Sequence, residues 1–487
     1  MSTEFKCNLA AVPTPLAHAW EHTVGSGRAL LGLRADWREH LLLAHGELGF
    51  RHVRFHGLLD DDMGTLICHS EKLLYSFFNA DSIFNYLLSI GMKPFVELSF
   101  MPATLASGDT TVFSYRGNVT PPADYRKWGA LIDKLVRHWL EHYGAREVAQ
   151  WCLEVWNEPN LKAFWTGGKA GYYKLYQTTV EAIKNIDPGL KVGGPSSAQN
   201  AWIPEFLSHC DKHKLPVDFV TTHYYPTDAF GKIGADTLTQ LQHAPRDVMK
   251  TRAQEASAQT RGLPLYYTEW NVSSNPRDPL HDQSFAAAFA ANIALSVDPF
   301  VAGYSFWTFT DIFEENYFPS VPFHGGFGLL NLHGIPKPVY RAFQLLHGLG
   351  DTLYPVQGSH ATVDVRVSGS ADIVTVFLTN YAMPRHAIAS EKVRVRLIGA
   401  PQPLGAFLSR IDDAHANPQQ AWQDMGAPEY LSQRQVETLQ AASTLTVEPH
   451  ALRVVEKSIE FDVTLPPQSV AALKIEFAPG ALLRAVR

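Results

Sequence analysis

Short apolar segments alternate with longer stretches of helical periodicity along the first 345 residues of this chain. The polar ends of five successive apolar segments are separated by 36, 29, 46 and 38 residues, counted along Glu158, Gly194, His223, Glu269 and Trp307. Alternating strands and helices pair their strands in parallel through right-handed crossovers. A strand–helix unit of an eightfold barrel takes about 31 residues, more with insertions. With eight strand candidates in all, the pattern predicts an α/β fold, a (β/α)8 TIM barrel.

The segment 121–144, PPADYRKWGALIDKLVRHWLEHYG, has apolar residues every three or four positions. This period predicts one buried helix face, opened by the prolines and closed by Gly144. The interval from Glu97 to Glu158 is the longest in the barrel region and contains a stretch rich in Gly, Thr and Ser before this helix. We therefore expect a long loop over the barrel mouth at this point.

After about residue 350 the period changes from that of helices to two. In EKVRVRLIG, Val393, Val395 and Leu397 alternate with basic residues, as in a strand with one buried and one wet face. Several such segments predict a C-terminal antiparallel β-sandwich. We expect a barrel domain at 14–345 and a sandwich domain at 346–487, with residues 1–13 as candidates to join the sandwich.

Composition excludes several classes of function. The net charge is −7 and no block of Lys and Arg occurs, so we expect no nucleic-acid partner. No apolar run reaches the roughly 18 residues of a membrane span, and the N-terminus has no signal-peptide pattern. Four scattered cysteines without a CxxC pair favour reduced thiols. We expect a cytoplasmic protein without a membrane partner, and self-association into a homo-oligomer stays open.

Two strand candidates end on a glutamate close to a tryptophan, Glu158 in VWNEP and Glu269 in YYTEW. A single glutamate at a strand end usually caps a helix or pairs with an arginine. Two of them at the C-terminal face of one barrel favour chemistry instead, because those strand ends converge on one cavity. Cleavage of a glycosidic bond needs one carboxylate at the anomeric carbon and one protonated carboxyl at the departing oxygen. Pro159 is expected to force the chain out of its strand and turn Glu158 into the cavity.

The motifs resemble a known family. NEP at 157–159, HYY at 223–225 and TEW at 268–270 look like the retaining glycosidases of the clan A barrels. The longer strings WEHTVGSGRA, RFHG, EVWNEPN and TEWN resemble glycoside hydrolase family 39, the β-xylosidases and α-L-iduronidases. The resemblance covers residues 18 to about 345, and the β-rich tail matches the accessory sandwich of the family. The segment 272–274 departs from the family pattern in detail.

The resemblance implies a role for each matching residue. Glu158 would be the general acid/base and Glu269 the nucleophile of a retaining exo-β-1,4-xylosidase that acts on short xylo-oligosaccharides. His223, Tyr225 and Arg54 would hold Glu269 and keep it ionised. The residues implied to contact the sugar are Asn157 at the 2-hydroxyl, His56 at other hydroxyls, Trp307 as the floor, and Glu314 and Glu315 at the distal hydroxyls. Carboxylates at the rim suit a neutral sugar and would repel a uronate.

Alternatives remain open from the sequence. Another retaining glycosidase on the same scaffold (an α-L-iduronidase, a β-glucosidase or an α-L-arabinosidase) is the main enzymatic one. A non-catalytic carbohydrate-binding protein is the alternative from another class, although both glutamates are intact. The 21 histidines form no HExxH motif, and the glycines at 25–27 lack the third glycine of a dinucleotide loop. We therefore expect no metal and no cofactor.

Overall fold

The computed structural model describes residues 3–228, 236–316 and 319–482. Eight parallel strands among these residues form a closed barrel. The sheet closes where Phe306 of the last strand pairs with Val24 of the first. In chain order the strands are β1 Thr23–Arg28, β2 His52–His56, β3 Lys93–Leu98, β4 Cys152–Val155, β5 Lys191–Ala198, β6 Phe219–His223, β7 Leu265–Trp270 and β8 Gly303–Phe306. The predicted TIM barrel is confirmed.

A helix follows each barrel strand and packs on its outer surface. These helices are α1 Ala35–Leu48, α2 Phe78–Ser89, α3 Tyr125–Tyr143, α4 Gly168–Ile186, α5 Ile203–His213, α6 Val248–Gln259, α7 Ser284–Val297 and α8 Pro338–His347. Helix α3 begins at the Asp124 cap, whose side chain accepts from the backbone N–H of Arg126, and ends at Gly144 with φ +83°. Glycine adopts that conformation without strain, so the helix ends where the sequence predicted. None of the described helices combines the length and the apolar character of a membrane span.

The long interval between β3 and α3 carries a small hairpin, Thr111–Val112 paired with Gly117–Asn118. Phe113 at its tip lines the cavity at the barrel mouth, where a long loop was expected. A second hairpin, Leu66–His69 with Lys72–Tyr75, follows β2 and was not predicted. Both hairpins lie on the C-terminal side of the barrel strands, the side on which barrel enzymes place their active sites.

The tail forms two further sheets that enclose a separate apolar core. Their longer strands are Val363–Gly369, Ile373–Asn380, Glu391–Ile398, Pro403–Ile411, Ser458–Leu465 and Ser469–Phe477. Val393, Val395 and Leu397 are fully buried, as their alternation predicted. The predicted C-terminal sandwich is confirmed, and the polar stretch within it contains the helices Pro418–Asp424 and Gln433–Ala442.

The N-terminal residues extend this second unit. Strand Thr3–Asn8 pairs with Glu391–Ile398, and Thr14–Pro15 pairs with Thr352–Tyr354. The first of these pairings is parallel, which departs from the expected antiparallel pattern. Residues 1–2 and 483–487 of the expected domain ranges lie outside the described residues.

Helix α7 joins the two units. It follows β7, the strand that contains Glu269, and 13 of its 14 residues are buried. A helix that is apolar on all sides needs partners on all sides. The barrel covers one face, while the ring of Tyr381 from the sandwich lies 6.0 Å from Phe285 and 5.9 Å from Phe289 on the other. Asn292 donates to Asp364 of the sandwich at 2.6 Å. The position of α7 therefore depends on the sandwich.

We predict that Tyr381→Ala lowers the free energy of unfolding by about 3–5 kcal/mol, as for other buried aromatic truncations. Tyr381 is fully buried against α7, so its loss leaves a cavity between the two units. The measurement is denaturant unfolding followed both by fluorescence and by residual activity. Tyr430→Ala in the same unit is the matched control, because Tyr430 is 75% exposed and its loss should cost no more than about 0.5 kcal/mol. Equal stability losses in the two variants would contradict the interface role of Tyr381.

Candidate active site

Glu158 and Glu269 both lie at the C-terminal mouth of the barrel. Glu158 is three residues past the end of β4, and Glu269 is the penultimate residue of β7. Their side chains line one cavity and are almost fully buried. Glu158 has φ +43°, in the left-handed region, and not the extended conformation expected before Pro159. Hydrogen bonds hold this strained backbone: its N–H donates to Ser196 at 2.8 Å and its carbonyl accepts from Leu161 at 2.9 Å.

The two carboxyl groups face each other. One oxygen of Glu158, one oxygen of Glu269 and one ring nitrogen of His223 all lie within 4.8 Å of one another. Retaining glycosidases hold their two carboxyl groups about 5–5.5 Å apart, whereas inverting enzymes need about 6.5–9.5 Å to admit a water molecule. The distance between the closest oxygens of Glu158 and Glu269 therefore agrees with the spacing in retaining enzymes.

The same three residues form the one potential metal-ligand group found among the described residues. A cation between them would lie beside the guanidinium of Arg54, which donates to Glu269 at 2.8 Å. Like charges repel strongly in a buried site. Nδ1 of His223 lies within hydrogen-bond distance of Oε1 of Glu158, at 2.9 Å. The two oxygens of Glu269 accept from Arg54 and from Tyr225. We therefore assign this group to proton chemistry.

Arg54, on β2, is fully buried and compensates the negative charge at the centre of the barrel. It contacts the carboxylates of Glu97 at 2.7 Å, Glu154 at 2.6 Å and Glu269 at 2.8 Å. Its remaining donor reaches Oδ1 of Asn157 at 2.9 Å. A buried guanidinium is stable only when such partners satisfy its donors. The contact with Asn157 uses the amide oxygen and leaves the amide NH2 for the cavity.

This arrangement separates the proton affinities of the two glutamates. Burial raises the pKa of Glu158 well above its ordinary value, and the facing charge of Glu269 adds to the rise. Burial also raises the pKa of Glu269, but the guanidinium of Arg54 and the ring of His56 oppose that rise. Glu158 is therefore the carboxyl that keeps its proton, and Glu269 is the one that ionises first.

His223 differs from the prediction. It was expected to hold Glu269, but its Nδ1 lies 2.9 Å from Oε1 of Glu158 and 3.6 Å from Oε2 of Glu269. The end of β6 places the ring between the two carboxyls, and its other nitrogen is fixed by Thr268 at 3.0 Å. Tyr225 lies where it was expected, with its hydroxyl donating to Oε2 of Glu269 at 2.9 Å.

The cavity has a volume of about 290 Å³, near the lower end of the range for small-molecule sites. His56, Asn157 and Trp307 line it beside the two glutamates. His56 is oriented by Glu97, whose carboxylate lies 2.7 Å from its Nδ1. Further lining residues that the sequence did not indicate include Phe113, Leu161, Phe164, Gln199, Thr227 and Ser274. They come from loops, where no periodic pattern marks the side that faces inward.

Of the two rim glutamates, only Glu315 lines the cavity, with Oε1 3.6 Å from Nε2 of His56. Glu314 was predicted to contact the sugar as well, but it is not among the residues that line the described cavity. Its carboxylate pairs instead with Arg28 at 3.0 Å. Arg28, at the end of β1, also pairs with Asp62 and lies over the ring of Tyr115.

Glu97 and Glu154 are functional residues that the sequence analysis missed. Both are fully buried on barrel strands and both contact Arg54. A signal was present, because a carboxylate in the middle of an apolar strand such as CLEV must find a buried partner. Their positions relative to Arg54 depend on the closure of the barrel, which pairs β3 with both β2 and β4.

The comparisons with known proteins agree with this geometry. A profile described as glycosyl hydrolases family 39 matches residues 5–455. The chain belongs to this family. A β-xylosidase of Caldicellulosiruptor saccharolyticus is 46% identical to this family 39 hydrolase over 94% of the chain and 95% of the relative. For a β-xylosidase of Geobacillus stearothermophilus the identity is 38%, over 94% and 92%. The solved family 39 enzyme of Xanthomonas axonopodis pv. citri superposes with a TM-score of 0.85 at 34% identity and covers 98% of both chains.

We predict that Gly25→Ala lowers kcat/KM of this hydrolase by about 10- to 100-fold, because a Cβ there would displace the cavity floor. That Cβ would lie 2.5 Å from the ring of Trp307, closer than atoms can approach. The measurement is steady-state kinetics on an aryl glycoside. Gly46→Ala is the control, since a Cβ on that exposed residue of α1 meets nothing within 4 Å. Normal kinetics for Gly25→Ala would contradict the tight packing of the floor.

Proposed function

We propose that this chain is a retaining exo-β-1,4-xylosidase that releases xylose from short xylo-oligosaccharides. The observation that carries the proposal is the facing pair Glu158 and Glu269, with closest oxygens within 4.8 Å. Two relatives named β-xylosidase, each matching more than nine-tenths of its own length, support the choice of sugar.

In the first step, Glu269 attacks the anomeric carbon while Glu158 gives its proton to the departing oxygen. A glycosyl-enzyme ester forms between the sugar and Glu269. In the second step, Glu158 removes a proton from water, which displaces Glu269 and regenerates both groups. The NH2 of Asn157 is free to donate to the 2-hydroxyl because Arg54 holds the amide oxygen.

The charge of the cavity supports a neutral sugar. Its described lining contains the carboxyl groups of Glu158, Asp228, Glu269 and Glu315 and no Lys or Arg. Carboxylates accept hydrogen bonds from vicinal hydroxyls, whereas a uronate needs a cationic partner and would be repelled. The side-chain chemistry therefore favours a xyloside over an iduronide.

The loops beside the cavity support exo action. The backbone N–H of Ser114, in the hairpin after β3, donates to the carbonyl of Glu315 at 2.6 Å. The Ser114 hydroxyl also donates to the carbonyl of Glu314. These bonds join two of the described loops beside the cavity, which supports a site that holds a terminal residue at this side.

The proposal extends to the setting of the enzyme. We propose a cytoplasmic location, which is supported by four unpaired cysteines, three of them buried. We further propose that residues 14–345 form the catalytic unit and 346–487 the accessory unit, joined by residues 1–13. Self-association into a homo-oligomer remains a prediction.

The pH dependence of kcat/KM follows from the two carboxyl groups. Activity needs Glu269 ionised, so it falls as pH drops through the pKa of that group. Activity also needs Glu158 protonated, so it falls as pH rises through the raised pKa of that group. We predict a bell-shaped profile whose alkaline limb disappears in Glu158→Ala, measured on an aryl xyloside that leaves without protonation. An alkaline limb that persists in this variant would remove Glu158 from the acid role.

The proposed function is tested by proton NMR of the first products from an aryl β-xylobioside. We predict xylose as its β-anomer together with the aryl β-xyloside, since retention preserves the configuration and exo action removes the terminal sugar. Glu269→Ala should abolish the reaction. Release of the α-anomer would contradict the double displacement, release of xylobiose would contradict exo action, and preference for a uronide in a parallel panel would contradict the sugar assignment.

A further inference from the structure

A chain of hydrogen bonds runs from the buried guanidinium to the acid/base residue. Arg54 Nε donates to Oε2 of Glu154 at 2.6 Å, and Oε1 of Glu154 accepts from the hydroxyl of Thr268 at 2.9 Å. The oxygen of that hydroxyl lies 3.0 Å from Nε2 of His223. Nδ1 of His223 then lies 2.9 Å from Oε1 of Glu158. All members of this chain are buried.

The direction of each bond fixes the position of one proton. The ion pair with Arg54 keeps Glu154 a carboxylate, which only accepts hydrogen bonds. The single hydroxyl proton of Thr268 is therefore used toward Glu154, and its oxygen is left to accept from His223. This requires a proton on Nε2 of His223. Burial, the guanidinium of Arg54 and the ring of His56 lower the pKa of His223 well below its ordinary value, so the ring is neutral and Nδ1 carries no proton.

We propose that Thr268 and Glu154 are positioning residues that fix His223 in its Nε2–H form, so that Nδ1 accepts a hydrogen bond from the protonated carboxyl of Glu158. The inference rests on the proposed role of Glu158 as acid/base. His223 in this form cannot donate to the Glu158 carboxylate. The network thereby stabilises the protonated form before cleavage and leaves the carboxylate a stronger base for the second step.

The variant that tests this is Thr268→Val, which keeps the shape of the side chain and removes the acceptor for Nε2–H. The ring is then free to carry its proton on Nδ1 and donate to the Glu158 carboxylate, which favours ionisation. We expect the alkaline limb of the kcat/KM profile to move about one pH unit lower. The other charged or titratable groups that face Glu158 are the same in this variant: Glu269, Arg54, Glu97, Asp228, Tyr225 and Glu315.

Two further variants separate positioning from structure. Thr268→Ser keeps the hydroxyl and should keep the wild-type limb. Thr222→Val removes another buried strand hydroxyl, one residue before His223, whose partner is the carbonyl of Ser197 at 2.8 Å. This control should leave the alkaline limb in place, whatever its effect on stability. A folded Thr268→Val enzyme with an unshifted limb, or an equal shift in Thr222→Val, would overturn the proposal.

A second measurement uses the unaltered enzyme and does not depend on its activity. Nitrogen NMR of histidine-labelled protein, with His223 assigned by its loss in His223→Gln, reports which ring nitrogen carries the proton. Protonated Nε2 and unprotonated Nδ1 support the proposal, and the reverse overturns it. If the enzyme cleaves no β-xyloside, the proposed function fails while this measurement still decides the tautomer.

Discussion

The buried guanidinium of Arg54 is the interaction on which the centre of this barrel depends. One positive charge contacts three carboxylates supplied by β3, β4 and β7, so strands distant in the chain meet at a single side chain. Removing one partner of a buried ion pair commonly costs about 3–5 kcal/mol, because the remaining charge stays uncompensated. The same contacts decide which glutamate ionises. Stability and acid–base chemistry are thus joined at Arg54. The contact that opposes the rise in the pKa of Glu269 belongs to a cluster of ion pairs that links four barrel strands.

Helix α7 extends this dependence to the second unit. It follows β7, the strand of Glu269, and is buried between the barrel and the sandwich. Displacement of the sandwich would expose its apolar surface and loosen the support of β7. The sandwich therefore acts as a structural partner of the active site, although its own residues do not line the described cavity.

Much of the fold was predictable because it depends on period and spacing. Buried parallel strands give short apolar runs, and their polar ends mark the barrel mouth, which located Glu158 and Glu269. The partner of His223 was not predictable, because its Nδ1 lies close to both carboxyl groups. The distances are 2.9 Å to Glu158 and 3.6 Å to Glu269. Neither was the division between Glu314 and Glu315, since adjacent residues of a loop have no period to show which one faces inward. Residues 1–13 were candidates to join the sandwich, but the strand Thr3–Asn8 itself was not predicted, because its pairing partner lies far along the chain.

That pairing has a consequence for biosynthesis. Thr3 is opposite Val393, a sequence separation of 390 residues, and the strand lies between Val356–Gln357 and Glu391–Ile398 in its sheet. During translation this strand has no partner until the segments that begin at Val356 and Glu391 have been made. Its backbone N–H and C=O groups have no partner strand while the barrel is synthesised. A nascent chain in this state exposes a strand edge to which chaperones or other copies of the chain can bind.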